Sequence, residues 1–268
     1  MKNILVLVHD DTGQEARLQV ALGLGRALDG HLTCVDLTWV PPLVSSGMYD
    51  NAYAIGDLVI QETAREGLNK TALETRLATE GVPWDWIDMS GDVAPCLRQA
   101  ADLSDVIVVN RAIDDFGVPD MRRAAGELIV RSGKPVLAVP AEAKGINLES
   151  ALVAWDGSPA AATAMRAAVP LLRLASRVTL LEIGDGSIKA RAEEAAGYLA
   201  RNGVGATIRR VPATRHGAGE VLLQEASNGM HGYVVMGGFG HLRWVEALFG
   251  GVTRAMLTRS PVPAFFAH

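Results

Sequence analysis

Two glycine clusters near the end of the chain have the spacing of an anion-binding site. An apolar run, Tyr233 to Met236, opens into Gly237-Gly238-Phe239-Gly240, and nine residues later the chain reads Gly250-Gly251-Val252-Thr253. Glycines between a strand and a helix let backbone N–H groups converge on phosphate, because no Cβ stands in the way. The pattern therefore predicts a polyphosphate site, although ordinary strand-to-helix turns are an alternative in a chain with 28 glycines.

Asp156-Gly157-Ser158 is a second candidate element, because it also follows a predicted strand. Ligands of open α/β sheets collect at the carboxyl ends of the strands. The Asp156 carboxylate is therefore expected to hold ribose hydroxyls or a Mg²⁺ ion, with Thr253 as a further donor. The alternative is that Asp156 and Ser158 only cap the following helix. His241 and Arg243 follow the glycines and either meet phosphate or are simply solvated.

The two halves of the chain repeat each other. An offset of 146 residues places 4–12 on 150–158, and an offset of 127 places 105–110 on 232–237. The chain is predicted to be a duplication with two domains. They comprise residues 1–142, here called the first half, and residues 148–268, the second half.

Each half alternates short β-branched runs with longer amphipathic runs. This pattern predicts an α/β fold with two tandem domains, each an open five-stranded parallel sheet with helices on both faces. Strands are expected at 3–9, 31–38, 85–89, 105–109 and 135–139, and at 149–155, 177–183, 206–211, 232–236 and 262–266.

Two helix starts and one insertion are also predicted. A capping box at Thr12-Gly13-Gln14-Glu15 and the hydroxyl and proline of Ser158-Pro159 mark the helix starts. The stretch 39–57 has no counterpart of similar length in the second half. It is expected to be a surface insertion, with a lid over a ligand as the alternative.

Composition and charge exclude several classes of function. The net charge is −5, so nucleic acid is not an expected partner. Residues 1–144 have 13 basic and 21 acidic residues and residues 145–268 have 12 and 9, which favours an anionic ligand in the second half. Cys34 and Cys96 lie in apolar stretches that suit buried free thiols. These two cysteines favour a reducing, cytoplasmic location. No apolar span is long enough for a membrane helix, so we expect no membrane partner.

Familiar catalytic signatures are missing from the sequence. It contains no Gly-x-x-x-x-Gly-Lys-[Ser/Thr] loop, no His-Glu-x-x-His and no Cys-x-x-Cys, and Asp156-Gly157-Ser158-Pro159 is not a nucleophile elbow. We therefore expect binding without efficient turnover, and no catalytic residue is predicted.

These motifs together resemble a universal stress protein domain. The resemblance is carried by Asp156-Gly157-Ser158 at a strand end, by the glycine motif from Met236 to Thr253, and by Ser260-Pro261-Val262-Pro263 before a terminal strand. The whole chain resembles the tandem form, which implies a Rossmann-like fold of the adenine-nucleotide alpha-hydrolase type. One branch of the family binds ATP through Gly-x-x-Gly-x9-Gly-[Ser/Thr].

The resemblance implies an ATP site in which glycines embrace the phosphates, Asp156 lies near the ribose and adenosine, and the Ile183 backbone meets adenine. Asp156 is also the candidate Mg²⁺ ligand. The full set of implied binding residues is Asp156, Gly157, Ser158, Ile183, Met236, Gly237, Gly240, His241, Gly250, Gly251, Val252 and Thr253.

One position departs from the family pattern. Gly251 stands where the ATP binders carry Ser or Thr, so a hydroxyl donor is lost while the N–H remains. A hydrogen bond to a charged group contributes about 1.5–3 kcal/mol. The affinity is therefore expected to fall by one to two powers of ten, with Thr253 in part replacing the donor.

The first half departs further from the family pattern. Asn110-Arg111-Ala112-Ile113-Asp114-Asp115-Phe116-Gly117 replaces the first glycine segment, and Arg122-Arg123 replace the paired glycines. The first half is therefore expected to be a degenerate domain that keeps the fold but not the ligand. The resemblance also implies that the terminal strands, 136–139 and 262–266, pair as an internal pseudo-dimer or between chains as a homodimer.

The predicted function is regulatory binding of an adenine nucleotide (ATP, or else ADP or AMP) in a stress response. Two alternatives belong to other classes. The chain is either a slow ATP-hydrolysing enzyme in which Asp156 organises the metal, or a partner-docking module that binds no nucleotide.

Overall fold

The computed structural model describes residues 1–39, 50–111, 120–215, 217–239 and 251–268. Strands and helices alternate along both halves, as the apolar runs predict. The elements of the first half are β1 (Asn3–Leu7), α1 (Gln14–Leu28), β2 (His31–Trp39), α2 (Asp50–Leu77), β3 (Trp84–Gly91), α3 (Val93–Ala100), β4 (Val106–Asn110), α4 (Met121–Arg131) and β5 (Val136–Val139). Those of the second half are β6 (Ser150–Ala154), α5 (Pro159–Leu172), β7 (Arg177–Gly184), α6 (Ala192–Arg201), β8 (Ala206–Pro212), α7 (Ala218–Ser227), β9 (Tyr233–Gly237), α8 (Gly251–Arg259) and β10 (Ala264–Ala267).

The strands of the described residues form one sheet in the order β3-β2-β1-β4-β5-β10-β9-β6-β7-β8. Each half contributes five parallel strands. The halves meet where β5 pairs antiparallel with β10 and Leu137 lies opposite Phe265. The predicted fold class is confirmed, and the terminal strands pair within one chain.

Helices cover both faces of the sheet. Residues of α1, α2, α5 and α6 pack on one face, and residues of α3, α4, α7 and α8 pack on the other. Because both faces are covered, the central strands are buried on both sides, and residues 4–7 of β1 have no exposed surface. Such strands read as continuous apolar runs, which is why the sequence pattern locates them well.

One of the two predicted helix starts is wrong. The Ser158 hydroxyl accepts a hydrogen bond from Ala161 N at 3.1 Å, and proline follows at the first helical position, as predicted. At α1, however, Gly13 is the N-cap and no side chain caps it. Asp11 Oδ1 accepts the Gly13 N–H at 2.8 Å and so forms the turn, while Glu15 binds Arg76 instead of closing a capping box.

The stretch 39–57 is partly helical, because α2 begins at Asp50. Residues 40–49 lie outside the described ranges, and the choice between insertion and lid stays a prediction. α2 has 28 residues and its counterpart α6 has 10, so this segment has no equivalent of similar length. Cys34 and Cys96 are buried free thiols, as expected. None of the helices in the described ranges is both long and apolar enough to span a membrane.

Candidate functional site

A pocket of about 280 Å³ lies at the carboxyl ends of β6, β7 and β9, beside the N-termini of α5 and α8. We call it the second-half pocket. Residues from three strand ends meet there because parallel strands end at the same edge of the sheet. The pocket is lined by Ala154, Trp155, Asp156, Ser158, Ala160, Ala161, Leu181, Ile183, Asp185, Ser187, Ala218, Leu222, Met236, Gly237, Phe239, Gly251, Val252 and Thr253.

Eight of the predicted site residues line this pocket. They are Asp156, Ser158, Ile183, Met236, Gly237, Gly251, Val252 and Thr253. Gly157 does not line it, and the predicted residues Gly240, His241 and Gly250 lie outside the described ranges. The walls formed by side chains such as Leu181, Leu222 and Met236 are apolar, with polar groups at the strand and helix ends. This division is typical of small-molecule sites.

Asp156 presents one carboxylate oxygen that the helix start does not use. Its Oδ1 accepts the Ser158 N–H at 2.8 Å, and its main-chain carbonyl accepts Lys189 N–H at 2.7 Å. Among the described residues no hydrogen bond engages Oδ2. Capping, the alternative in the sequence, therefore accounts for Ser158 and for one oxygen of Asp156, and the other oxygen is left to accept from a ribose hydroxyl or to ligate a cation.

Gly157 is required by the packing of the protein chain itself. It has φ +71°, and a Cβ at this position would lie 2.0 Å from Ala190 N. The loop before α6 is thus held against the end of β6, and Trp155 Nε1 donates to Ala190 O at 2.9 Å in the same contact. The glycine is explained without a ligand.

Ile183 lies near the end of β7, where its carbonyl accepts Asp185 N–H at 2.9 Å. A carbonyl oxygen has two lone pairs, so this bond leaves one acceptor position for an adenine amino group. The predicted backbone contact of Ile183 is therefore compatible with the turn that follows it.

Asp185 and Ser187 also line the pocket, and sequence reasoning missed them. Asp185 Oδ1 accepts from the amide and the hydroxyl of Ser187, at 2.9 and 2.5 Å, and the hydroxyl lowers the pKa of Asp185. A signal was present, because Asp185-Gly186-Ser187 repeats the tripeptide Asp156-Gly157-Ser158 at the end of the neighbouring strand. The pocket therefore has a second carboxylate beside its base-sized apolar walls.

Gly237 and Gly238 are glycines for reasons of close packing. A Cβ on Gly237 would lie 2.6 Å from Ala161 N, at the start of α5. A Cβ on Gly238 would lie 2.4 Å from the Ile129 side chain, which belongs to α4 of the first half. Close packing within the protein thus accounts for both glycines without a ligand, although Gly237 also lines the pocket.

Gly251 differs from these glycines because no atom of the described residues lies within 4 Å of a Cβ placed on it. It is the first residue of α8, where free N–H groups and the helix dipole favour an anion. Thr253, two residues further, is buried, and its hydroxyl accepts Phe239 N–H at 3.3 Å. Thr253 therefore ties α8 to the end of β9, and its hydroxyl hydrogen is left to donate.

At the equivalent edge of the first half, side chains fill the space between β1 and β4. Arg17 has no exposed surface and donates to Leu7 O at 2.9 Å and His9 O at 2.7 Å. Its Nη1 also donates to both carboxylate oxygens of Asp11 and to Asn110 Oδ1. Buried side chains thus fill the contact between β1, β4 and the start of α1 in this half.

The contact between the end of a strand and the start of a helix has one glycine in each half, but on opposite sides of the contact. Asn110 aligns with Gly237, and a Cβ on Gly13 would lie 2.5 Å from Asn110 Oδ1. The start of α1 has a glycine because the strand end has a side chain, and the second half has the reverse arrangement. Asp120 caps α4 by accepting Arg123 N–H at 3.0 Å, so an internal carboxylate already lies at the helix end that corresponds to α8.

The fold and the pocket define a tandem Rossmann-like α/β protein with a ligand-sized crevice in one half. No protein-family model matches the chain, and no curated protein matches it. Among solved structures, a universal stress protein from Archaeoglobus fulgidus is similar over 99% of this chain and 97% of its own, with a TM-score of 0.71 and 17% identity.

Two structures from Pseudomonas aeruginosa are also similar over the full chain. A functionally unknown protein from strain PAO1 has a TM-score of 0.57 at 16% sequence identity, and the match covers 92% of that protein's chain. A candidate universal stress protein from strain UCBPP-PA14 has a TM-score of 0.56 at 17% sequence identity, and the match covers 93% of that protein's chain. The chain therefore has the fold of universal stress proteins, in their tandem form, from end to end.

Proposed function

We propose that this chain is a cytoplasmic universal stress protein whose second half binds an adenine nucleotide, ATP with Mg²⁺, as a regulatory ligand. The observation that carries the proposal is the convergence of eight motif residues on one pocket at the carboxyl ends of three parallel strands. The open side of Gly251, at a helix N-terminus, also supports it.

The groups in the pocket fit the parts of a nucleotide. Apolar side chains such as Leu181, Met236 and Val252 suit a flat base, and Asp156 Oδ2 suits a ribose hydroxyl or Mg²⁺. The N–H groups at the start of α8 suit phosphate. Mg²⁺, when bound, would neutralise phosphate charge close to Asp156 and Asp185, which alone would repel it.

Regulatory binding is proposed rather than catalysis. The two pocket carboxylates each accept hydrogen bonds from their own turns, through Ser158 and Ser187. Neither is paired with a histidine or lysine of the described pocket that could complete a general acid–base pair. We therefore expect no efficient hydrolysis.

The direct test has two parts. Mass spectrometry of small molecules released from freshly purified, denatured protein is expected to detect an adenine nucleotide. Calorimetric titration with ATP and ADP in the presence of Mg²⁺ is expected to give one site per chain. Absence of binding at millimolar nucleotide would contradict the proposal and favour the partner-docking alternative.

A pair of charge variants locates the site. Gly251→Asp adds a carboxylate where phosphate is expected, at a position that meets no atom of the described ranges, so ATP binding should be lost while the fold is kept. Gly205→Asp is the matched control, because it also enters open space but lies next to the amino end of β8. Equal ATP affinities in the two variants would exclude this pocket.

The slow-ATPase alternative is tested with the same protein. If phosphate release exceeds that of Gly251→Asp and is abolished by Asp156→Ala, the protein is an enzyme. Release at the level of the Gly251→Asp control would leave regulatory binding as the function.

A further inference from the structure

A second cluster of chemically capable side chains lies at the carboxyl edge of the first half, outside the second-half pocket. His9 follows β1, and α2 brings Glu62 and Glu66 to it from one helix face, since residues four apart lie on the same face. One ligand atom from each of the three residues lies within 4.8 Å of the other two. This group is called the His9 cluster.

The distances in the His9 cluster suit a shared cation. His9 Nδ1 lies 2.8 Å from Glu66 Oε1 and 3.7 Å from Glu62 Oε1. Zinc takes nitrogen and carboxylate ligands at about 2.0–2.2 Å in a tetrahedron, so ligand atoms around it stand about 3.3–3.6 Å apart. The two measured distances bracket that range, so small side-chain rotations would complete the geometry.

Surrounding groups hold the cluster in position. Glu66 is 2% exposed and accepts hydrogen bonds from Asp10 N at 3.1 Å and from Asn69 Nδ2 at 3.1 Å. His9 is 1% exposed, and its Nδ1 also lies 3.0 Å from Leu37 O. The hydrogen bonds to Glu66 are of the kind that orients metal ligands in known sites. The Leu37 carbonyl instead contacts the nitrogen that would bind the ion, so its contact with the Nδ1 proton is given up when the ion binds.

Asp36 is an independent sign that a positive charge belongs here. It is 5% exposed, and its Oδ1 has no hydrogen-bond partner among the described residues. The Glu66 carboxylate lies beside it. When both are ionised, these two carboxylates are acceptors only and cannot satisfy each other, whereas a cation between them would serve both.

The cations already present do not fill this role. Arg65 lies at the rim, 2.8 Å from Glu62 Oε1 and 3.4 Å from Glu66 Oε1, and its side chain is 44% exposed. Lys70 is bound to Asp88 at 2.7 Å. Glu66 therefore has the His9 ring and the rim guanidinium of Arg65 beside it, while Asp36 Oδ1 has no hydrogen-bond partner among the described residues.

We propose that His9, Glu62 and Glu66, with Asp36 behind them, form a site for one divalent transition metal ion of the zinc class. The ion takes the place of the proton on His9 Nδ1. An imidazole beside carboxylates favours Zn²⁺ over Mg²⁺ or Ca²⁺, which prefer oxygen ligands only. The site lies in the half without the nucleotide pocket, so the inference is independent of the proposed function.

The test is calorimetric titration of the full, tag-free chain with ZnCl₂ after treatment with EDTA, without nucleotide. We expect one Zn²⁺ per chain, a higher melting temperature in its presence, and no competition from excess Mg²⁺ or Ca²⁺. A chain that takes up no Zn²⁺ at micromolar concentration, or that loses it to Mg²⁺, would overturn the proposal.

Variants assign the site to these residues. His9→Gln and Glu62→Gln should each weaken Zn²⁺ binding about tenfold or more. His31→Gln is the matched control, because His31 also pairs with a carboxylate, Asp85 at 2.9 Å, but on an exposed surface and without a third ligand among the described residues. It should bind as wild type does.

Folding of each variant is checked by circular dichroism. Glu62 is more exposed than His9, and the glutamine amide has the same shape as the glutamate carboxylate. Glu62→Gln is therefore the variant that tests the assignment if His9→Gln does not fold. Unchanged Zn²⁺ affinity in folded Glu62→Gln would contradict the assignment. Weaker Zn²⁺ binding by folded Glu62→Gln, together with unchanged binding by His31→Gln, would support the assignment.

Discussion

Restoring a hydroxyl at Gly251 should tighten nucleotide binding. Gly251 is the first residue of α8 and is exposed, and within the described part of the chain no atom lies within 4 Å of the position that a Cβ would take. Gly251→Ser therefore enters open space without backbone strain. A hydrogen bond to a charged group is worth about 1.5–3 kcal/mol. Because water reaches this position, the lower end applies, and about 1.4 kcal/mol corresponds to a tenfold lower Kd for ATP.

The matched control is Gly251→Ala, which adds the Cβ without the hydroxyl. Calorimetric titration with MgATP should give about a tenfold lower Kd for the serine variant and little change for the alanine variant. Adenosine, which has no phosphate, should bind both variants and the wild type equally. If the serine and alanine variants bind ATP alike, the phosphates do not lie at the start of α8, and the proposed orientation of the nucleotide is wrong.

Three further predictions concern the fold that carries the pocket. Gly237→Ala should lower the free energy of unfolding by about 1–3 kcal/mol, because the added Cβ would lie 2.6 Å from Ala161 N. Urea denaturation measures this change, with Gly251→Ala as the control. Equal free energies of unfolding for the two variants would contradict the prediction. Asp105 is partly buried and accepts from the amides of Lys2 and Asn3, which hold its pKa below the ordinary value. The contribution of Asp105 to the free energy of unfolding is therefore present above about pH 4 and is lost as the pH falls through the lower pKa of the folded state. Asp105→Asn should remove this part of the acid dependence, measured by urea denaturation at several pH values. An unchanged pH profile would refute the prediction. Burial, and next Asp85, raise the pKa of Cys34 to about 12, so a thiol reagent at about pH 8 should leave Cys34 unmodified in the native protein and label it in urea; rapid native labelling, read by peptide mass spectrometry, would show that the site opens.

The strands were predictable because of their burial. β1 and β9 are covered on both faces, so their sequences are continuous apolar runs bounded by polar residues and glycine. The expected bounds agree with the structure to within two residues. The start of α1 was not predicted correctly, since the Asp11 side chain formed the turn that the sequence pattern assigned to Thr12.

The pocket was predictable only in part. Asp156, Gly237 and Gly251 mark it from local sequence because each lies where a strand meets a helix. Local sequence cannot say why a glycine is present, and the structure separates close packing at Gly157 and Gly237 from open space at Gly251. The His9 cluster had no local signal, because His9 is more than 50 residues from Glu62 and Glu66 and meets them only through the packing of α2.

The antiparallel pairing of β5 with β10 joins the two halves inside one polypeptide. A homodimer built on the same seam would come apart on dilution, whereas this seam holds at any protein concentration. In such a homodimer every substitution would also occur twice, once in each subunit, on either side of the two-fold axis. A fused chain is free of that symmetry, so one side was able to acquire the buried Arg17 while the other kept an open crevice.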